Sequence, residues 1–375
     1  MRVEPRVPRD VLAAIRAALA TAGAEVVDAP ILQPLNLLLD LAGEAMRARL
    51  FVVQAAGGVE ECLRPDFTVA VATQHIARGQ AEGRYAYEGA AFRASPGGDR
   101  PEQFVQLGVE LFAPARGDNA AADAEIAGLA WAAASAGGRS DLTLWLGDVG
   151  LFSAFIEALA LPDALAARLK RVAGRPRLLN AELARAGEAA LASGGGQLAT
   201  MLSGLSENET AALLEEVWAL AGVAPVGGRG PAEIAARLVQ RAAAADAPAL
   251  TEAQATAIRA FMAISEAPAT GLSKVRALAG TSRALDGALA DWKTRLSGLS
   301  GIPTERLRFA PALGHAFDYY DGLTFEVRSE ALGVDRPVAS GGRYDGLLAR
   351  LGGPADAGAV GCVVRPWRAF SRGEA

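Results

Sequence analysis

Apolar side chains recur at helical spacing over residues 11–27: Val11, Leu12, Ile15 and Leu19 fall on one face, and Arg16 and Glu25 break the run. The pattern predicts an amphipathic helix that Asp10 caps at its start and Gly23 closes at C′. Short strand-like runs follow at 25–27, 50–53, 85–92, 104–111 and 142–146. From about residue 151 to 300 the chain is helix-forming, rich in Ala, Leu, Glu and Arg, with breaks at 194–196 and 224–231. Strand texture returns at 307–312, 323–327, 338–339 and 359–364. Strands, then helices, then strands predict an α+β architecture: a mostly antiparallel sheet split by a helical insertion. The glycine-containing breaks at 194–196 and 227–230 read either as hinges or as ordinary connectors.

Composition narrows this picture. At 375 residues the chain has room for about two domains, or one large core with an insertion. Its 51% hydrophobic and 21% charged residues suit a packed core and not a disordered chain. Two Cys and two His exclude a disulfide scaffold and make a Cys- or His-rich metal site an unsuitable reading. No run reaches the roughly 18 uncharged apolar residues of a membrane-spanning helix. The free thiols and the absence of a leader-like start lead us to expect a reducing, cytoplasmic setting. A net charge of −5 argues against a generally basic nucleic-acid surface. No G-x-G-x-x-G, P-loop or G-x-S-x-G sequence is present, which weakens dinucleotide, P-loop and serine-hydrolase readings.

Four segments carry candidate chemistry. In LRPDFT, Asp66 and Thr68 read either as a strand-end pair that can cage an ammonium group or as an ordinary helix start after Pro65. In the segment 87–112, Phe92 and Arg93 end one strand and a turn-forming loop follows. The returning strand puts Gln106, Gly108 and Glu110 on one face and Val105, Leu107, Val109 and Leu111 on the other. Such a face suits a ligand sheet in which Gly108 leaves room, and it equally suits a solvated hairpin. Tyr319 and Tyr320, beside Asp318 and before the Asp321-Gly322 turn, offer phenols that can bond an imidazole, or serve as core aromatics. Gly341-Gly342 ahead of Arg343-Tyr344-Asp345 lets the backbone approach a ligand, with Arg343 and Asp345 as a supporting pair, or forms a plain turn.

In this order LRPDFT, FR…QFVQLGVELF, FDYYDGLTFE and SGGRYDGL resemble the histidyl-tRNA synthetase catalytic core, a class II aminoacyl-tRNA synthetase fold. The resemblance spans about residues 5–150 and 300–370, and the helical middle matches in placement only. It implies a six-stranded, largely antiparallel sheet flanked by helices. Residues 1–160 and 301–375 would form the two parts of the core, and 161–300 a mainly helical insertion with connecting helices.

Carried over residue by residue, the resemblance implies that Asp66, Thr68 and Gln106 hold a histidine α-ammonium. Glu110 and Tyr320 would bracket the imidazole, with Tyr319 adjacent. Asp66 stands where the synthetases usually have Glu. The nucleotide half departs from the pattern. His315 replaces an Arg that meets the reacting phosphate, and Ser95 replaces a Glu. Arg365 replaces a Gly that would lie against adenine, and Trp367 a Glu. Arg93 and Arg368 remain as candidates for anion binding. The sequence ends at Ala375, soon after the last motif, so we expect no anticodon-binding domain of about 100 residues and no tRNA as partner.

A histidine pocket beside a disabled activation site is similar to the ATP phosphoribosyltransferase regulatory subunit family. That similarity implies a chain without catalytic residues, cofactor or metal of its own. It would activate a short-form catalytic subunit, a glycosyltransferase by class, in the first step of histidine biosynthesis. It would transmit feedback inhibition by L-histidine, and form a homodimer inside a larger hetero-oligomer. Whether the effector sits in the ancestral pocket or between subunits stays open from sequence. Two other readings stay open too: a divergent synthetase-like enzyme that forms histidyl-adenylate, and a stand-alone histidine-binding module.

Overall fold

Alternation along the apolar runs builds the sheet. In the computed structural model the strands are β1 (Glu25–Val26), β2 (Leu32–Pro34), β3 (Val52–Gln54), β4 (Glu60–Leu63), β5 (Gly83–Phe92), β6 (Gln103–Pro114), β7 (Leu142–Asp148), β8 (Leu307–Phe309), β9 (Leu323–Ser329), β10 (Ala339–Arg343) and β11 (Ala357–Val364). The structure describes residues 1–54, 56–98, 100–114, 119–172, 176–184, 212, 250–280, 282–313 and 319–372. The breaks at 194–196 and 224–231 lie outside the described residues.

Eight strands form one sheet in the order β1-β5-β6-β11-β10-β9-β7-β8, and β2-β4-β3 form a small second sheet. The expectation of a six-stranded, largely antiparallel sheet is therefore corrected to a mixed sheet of eight. The six strands from β5 to β7 pair antiparallel, while β1 and β8 join the two edges in parallel. Both edge strands fall inside the strand-like runs at 25–27 and 307–312; what the pattern leaves out is that they pair in parallel and extend the sheet.

The N-terminal helix runs Arg9–Ala20, starting two residues earlier than expected, with Pro8 and not Asp10 at the N-cap. Proline's fixed φ suits an entry to a helix, and Asp10 sits in the first turn where a negative charge meets the helix dipole. Thr21 is the C-cap and Gly23 follows with φ +60°. Ile15 and Leu19 are buried, as the apolar stripe requires.

Contacts divide the chain into two units: Met1–Leu159 with Ala173–Pro176 and Arg259–Ala375, and Ala160–Val172 with Arg177–Ile258. In the first unit the Ala-rich helix Asn119–Ser135 lies on β10 and β11 and against the helix Arg283–Gly298. Small side chains at Ala124, Ala127, Ala130 and Ala134 allow this close approach. The helices Pro268–Leu278 and Arg283–Gly298, grouped by sequence with the insertion, belong to this sheet-bearing unit. In the second unit the helix Asp163–Arg171 buries Leu165 and Leu169, and Arg168 pairs with Glu182 at 3.0 Å. Among the described residues no helix is long and apolar enough to cross a membrane.

A buried ionic clasp fixes the helices to the sheet. Asp123, fully buried, accepts from Arg295 Nε at 2.8 Å and from Arg343 Nε at 2.8 Å. Asp148 caps the helix Val149–Ala158 by accepting from the Leu151 amide at 3.0 Å. It also accepts from Trp292 Nε1 at 2.8 Å and from Arg295 Nη1 at 3.0 Å. Arg343 reaches Asp345 at 2.9 Å, the supporting pair that the sequence suggests. Removing one partner of a buried ion pair strands the others, so Asp123→Ala is expected to cost about 3–5 kcal/mol. Urea unfolding of the variant against the parent checks this.

Candidate functional site

Strand register lines up the site. On one face of the sheet, Tyr87, Gly108, Val363, Ser340, Glu326 and Trp145 form a row across β5, β6, β11, β10, β9 and β7. The next row is Tyr85, Glu110, Gly361, Gly342, Thr324 and Gly147. Glycine at these points lets polar side chains lie flat on the strands. A Cβ on Gly361 would stand 1.6 Å from Glu110 Oε2, and one on Gly342 would stand 2.8 Å from the Tyr320 ring. At Gly108 it would meet the Tyr87 hydroxyl at 2.3 Å. The space that Gly108 was expected to leave for a ligand is thus filled by this chain's own phenol.

The segment LRPDFT is a helix start. β4 ends at Leu63, Phe67 is the N-cap and Thr68 opens the helix Thr68–Arg78, so Asp66 and Thr68 are not a period-two strand pair. Both are nevertheless buried, and both line a cavity of about 650 Å³. Neither Asp66 carboxylate oxygen makes a hydrogen bond with the protein. Burial raises its pKa, while the positive charge of Arg93 and the helix-start amides of Thr68 and Val69 pull the other way. Gln106, 2% exposed, has an equally unpartnered Oε1.

Glu110 is the most enclosed acid of the face. Its Oε1 accepts from Thr68 Oγ1 at 2.8 Å and from the Tyr87 hydroxyl at 3.1 Å, and its Oε2 accepts from the Tyr344 hydroxyl. Burial pushes its pKa up to about 7, while the three hydroxyls pull the other way. Tyr87 is itself locked by stacking on Phe67, with centroids 4.5 Å apart and planes within 7°.

Tyr319 is buried and Tyr320 half-buried; their rings lie 4.8 Å apart, and Tyr319 meets Tyr344 edge-on at 5.7 Å. Asp321, which follows them, accepts from the amides of Asp345 at 3.1 Å and Gly346 at 2.6 Å and so caps the helix Asp345–Arg350. His315 and Asp318 lie outside the described residues.

Of the sequence candidates, Asp66, Thr68, Tyr319, Tyr320, Arg93 and Arg368 meet on the cavity wall. Gln106 and Glu110 stand on the same sheet face but not on that wall, and Glu110 joins it through Thr68 and Tyr87. Arg93 Nε donates to the Pro65 carbonyl at 2.9 Å, and Arg368 Nη1 to the Pro337 carbonyl at 3.1 Å. Sequence reasoning missed Tyr87 and Tyr344, the other two donors to Glu110. It also missed Arg49 and Arg100, which line the cavity. Tyr87 was readable in principle, since β5 and β6 form one hairpin and set Tyr87 across from Gly108. Arg49, on a different segment, carries no such local signal. Its pKa is lowered by burial and by the neighbouring charges of Arg93 and Arg100.

The cavity therefore joins buried acceptors and phenols to a cluster of guanidinium groups, which suits a small ligand with both an ammonium and an anionic group. The histidyl-tRNA synthetase family profile matches residues 4–220 and 230–366. An ATP phosphoribosyltransferase regulatory subunit from Chelativorans sp. (strain BNC1) is 36% identical over 338 residues, 88% of each chain. One from Mesorhizobium japonicum is 35% identical over 351 residues, 89% of each chain. This chain belongs to the ATP phosphoribosyltransferase regulatory subunit family.

Solved structures show the class II aminoacyl-tRNA synthetase-like fold for the regulatory subunit family member. An ATP phosphoribosyltransferase regulatory subunit/histidyl-tRNA synthetase from Bacillus halodurans superposes with a TM-score of 0.65 at 22% identity, covering 98% of this chain and 81% of that one. A histidyl-tRNA synthetase from Nostoc sp. PCC 7120 gives 0.60 at 16% identity, covering 96% and 70%. The synthetase profile takes in every site residue from Asp66 to Arg365, and Arg368 lies two positions beyond it.

Proposed function

We propose that this chain is the non-catalytic regulatory subunit of ATP phosphoribosyltransferase, and that its cavity binds L-histidine as feedback effector. The observation that carries the proposal is Asp66. A buried carboxylate whose oxygens make no well-formed hydrogen bond, and which Arg93 and the Thr68 and Val69 amides offset only in part, is costly unless a cationic ligand supplies a partner. The α-ammonium of an amino acid has the charge and the size, with Gln106 Oε1 as a further acceptor and Thr68 alongside. Tyr320 on the wall would bond an imidazole nitrogen, with Tyr319 behind it, and Glu110 would act on the ring through the hydroxyls of Thr68 and Tyr87. An analogue without that nitrogen would leave buried polar groups unpaired. Arg93 and Arg368 would face the carboxylate as anion-binding residues.

In this reading a short-form catalytic subunit performs the phosphoribosyl transfer, and this chain activates it as a homodimer within a larger cytoplasmic hetero-oligomer. Neither tRNA nor a cofactor is needed. Feedback is a linkage: histidine binds the inhibited assembly more tightly than the active one, and a coupling of roughly 1–3 kcal/mol gives about 5–150-fold control.

The test mixes this chain with a short-form catalytic subunit. Phosphoribosyl-ATP formation should require both chains and fall on adding histidine. Activity of the partner alone at the full rate, or no response to histidine, refutes the proposal. A synthetase-like reading draws on the arginines of the same cavity; histidine-dependent ATP–pyrophosphate exchange by this chain alone would establish that reading instead.

A further inference from the structure

Arg365 follows β11 directly. The β6–β11 register ends with Val364 opposite Leu107, so Arg365 comes next to Gln106 on the face that carries Glu110. Its guanidinium does not reach for solvent. The Cζ lies 3.5 Å from the centroid of the Phe104 ring, and Nη2 donates to Glu4 Oε1 at 2.5 Å. Nε is buried without a partner. Burial and the charge of Arg368 pull the pKa down to about 9, against the opposing pull of Glu4.

A buried guanidinium with an unmade hydrogen bond and cations nearby is an expensive arrangement. What it achieves is visible in what it covers. Phe104 and Arg365 both line the cavity, and Arg93 stands 5.5 Å from the same ring. An aromatic face with guanidinium groups beside it has the chemistry of a nucleotide site. A planar base stacks on the ring, and phosphates meet the arginines. Here the stacked planar group is the chain's own.

We propose that Arg365 is a specificity-determining residue: its guanidinium, clipped by Glu4, occupies the Phe104 ring and shuts nucleobases out of the cavity. The cavity is left to a smaller zwitterion. This rests on the reading that the same cavity serves an amino acid, and it adds what the cavity is built to refuse.

The test titrates the full chain and its Arg365→Ala variant with adenosine, inorganic pyrophosphate and histidine by calorimetry. Adenosine is expected to bind the variant about tenfold more tightly than the parent, the size of one base–aromatic stack. Pyrophosphate is expected to bind no more tightly, because the variant has lost a cation. Glu4→Gln, which frees the guanidinium without removing it, should give a smaller gain for adenosine of the same sign. Unchanged adenosine binding in both variants overturns the proposal, and so does an equal gain for pyrophosphate. Should Arg365→Ala lose its cooperative thermal unfolding, the Glu4→Gln titration decides alone. The histidine titration keeps the two ideas apart. A parent that ignores histidine refutes the effector reading, while the adenosine comparison still judges Arg365.

Discussion

Asp66→Asn is expected to raise the thermal stability of the chain and to abolish most of its response to histidine. The two effects share one cause. In the free protein the carboxylate is buried without a well-formed hydrogen bond, and burial raises its pKa against the pull of Arg93 and of the Thr68 and Val69 amides. A neutral amide of the same shape removes the desolvation cost, which for an unsatisfied buried group is about 1–3 kcal/mol and larger for a charged one. The bound ammonium, in contrast, loses the carboxylate that lies beside Thr68 on the cavity wall. Truncating one side of a buried charge pair typically costs about 2–5 kcal/mol, so histidine affinity should fall by roughly 100-fold. Thermal unfolding and calorimetric titration of the same preparation measure both. A variant that is less stable and binds histidine as the parent does would mean that Asp66 serves the helix start and no ligand.

Glu110→Gln should change how stability depends on pH. Glu110 titrates at about 7 in the folded chain, against an ordinary value of 4.5. Between those values the folded chain holds a proton that the unfolded chain has released. The resulting stabilisation is complete below the unfolded pKa and is lost as pH rises through the folded one. At about 1.4 kcal/mol per unit, the parent gives up about 3 kcal/mol over that interval that the glutamine variant does not. The stability of the variant relative to the parent should therefore climb between pH 4.5 and pH 7 and level off above it. Asp66 also titrates upward and its charge helps to raise Glu110, so the comparison is repeated in an Asp66→Asn background, where only Glu110 differs. Chemical unfolding at pH 4.5, 6 and 8 provides the measurement; a constant difference across these values would show that Glu110 stays ionised in the fold. Histidine binding should weaken less than in Asp66→Asn, because Glu110 meets the cavity only through Thr68 and Tyr87.

Much of the site could be read from local pattern. Strict alternation from Phe104 to Glu110 puts Gln106 and Glu110 on one face, and β6 has that arrangement. The Arg343–Asp345 pair is also local and stands, while Asp321-Gly322 is a bend and not a hydrogen-bonded turn, and Asp321 serves the start of the helix Asp345–Arg350. Pattern failed where tertiary structure decides. Asp66 and Thr68 are close through a helix start, because a β4 of only four residues stops at Leu63 before it can include them. β1 and β8 lie in the strand-like runs at 25–27 and 307–312, but their parallel pairing at the sheet edges is set by neighbours far away in sequence, which local alternation does not announce. Tyr344 donates to Glu110 across 234 positions, and Arg365 meets Glu4 across 361. Such contacts exist only once the sheet has assembled. The role of Gly361 is of the same kind: its missing side chain is explained by a carboxylate arriving from the neighbouring strand.

The chain has five tyrosines, and all of them gather around one carboxylate. Tyr87 and Tyr344 donate to Glu110, Tyr85 is its cross-strand neighbour, and Tyr319 and Tyr320 pack against Tyr344. A phenol-specific spectral signal therefore reports on this face of the sheet, with Tyr87, Tyr319 and Tyr320 on the cavity wall itself. The protein carries its own optical label at the place where a ligand would register.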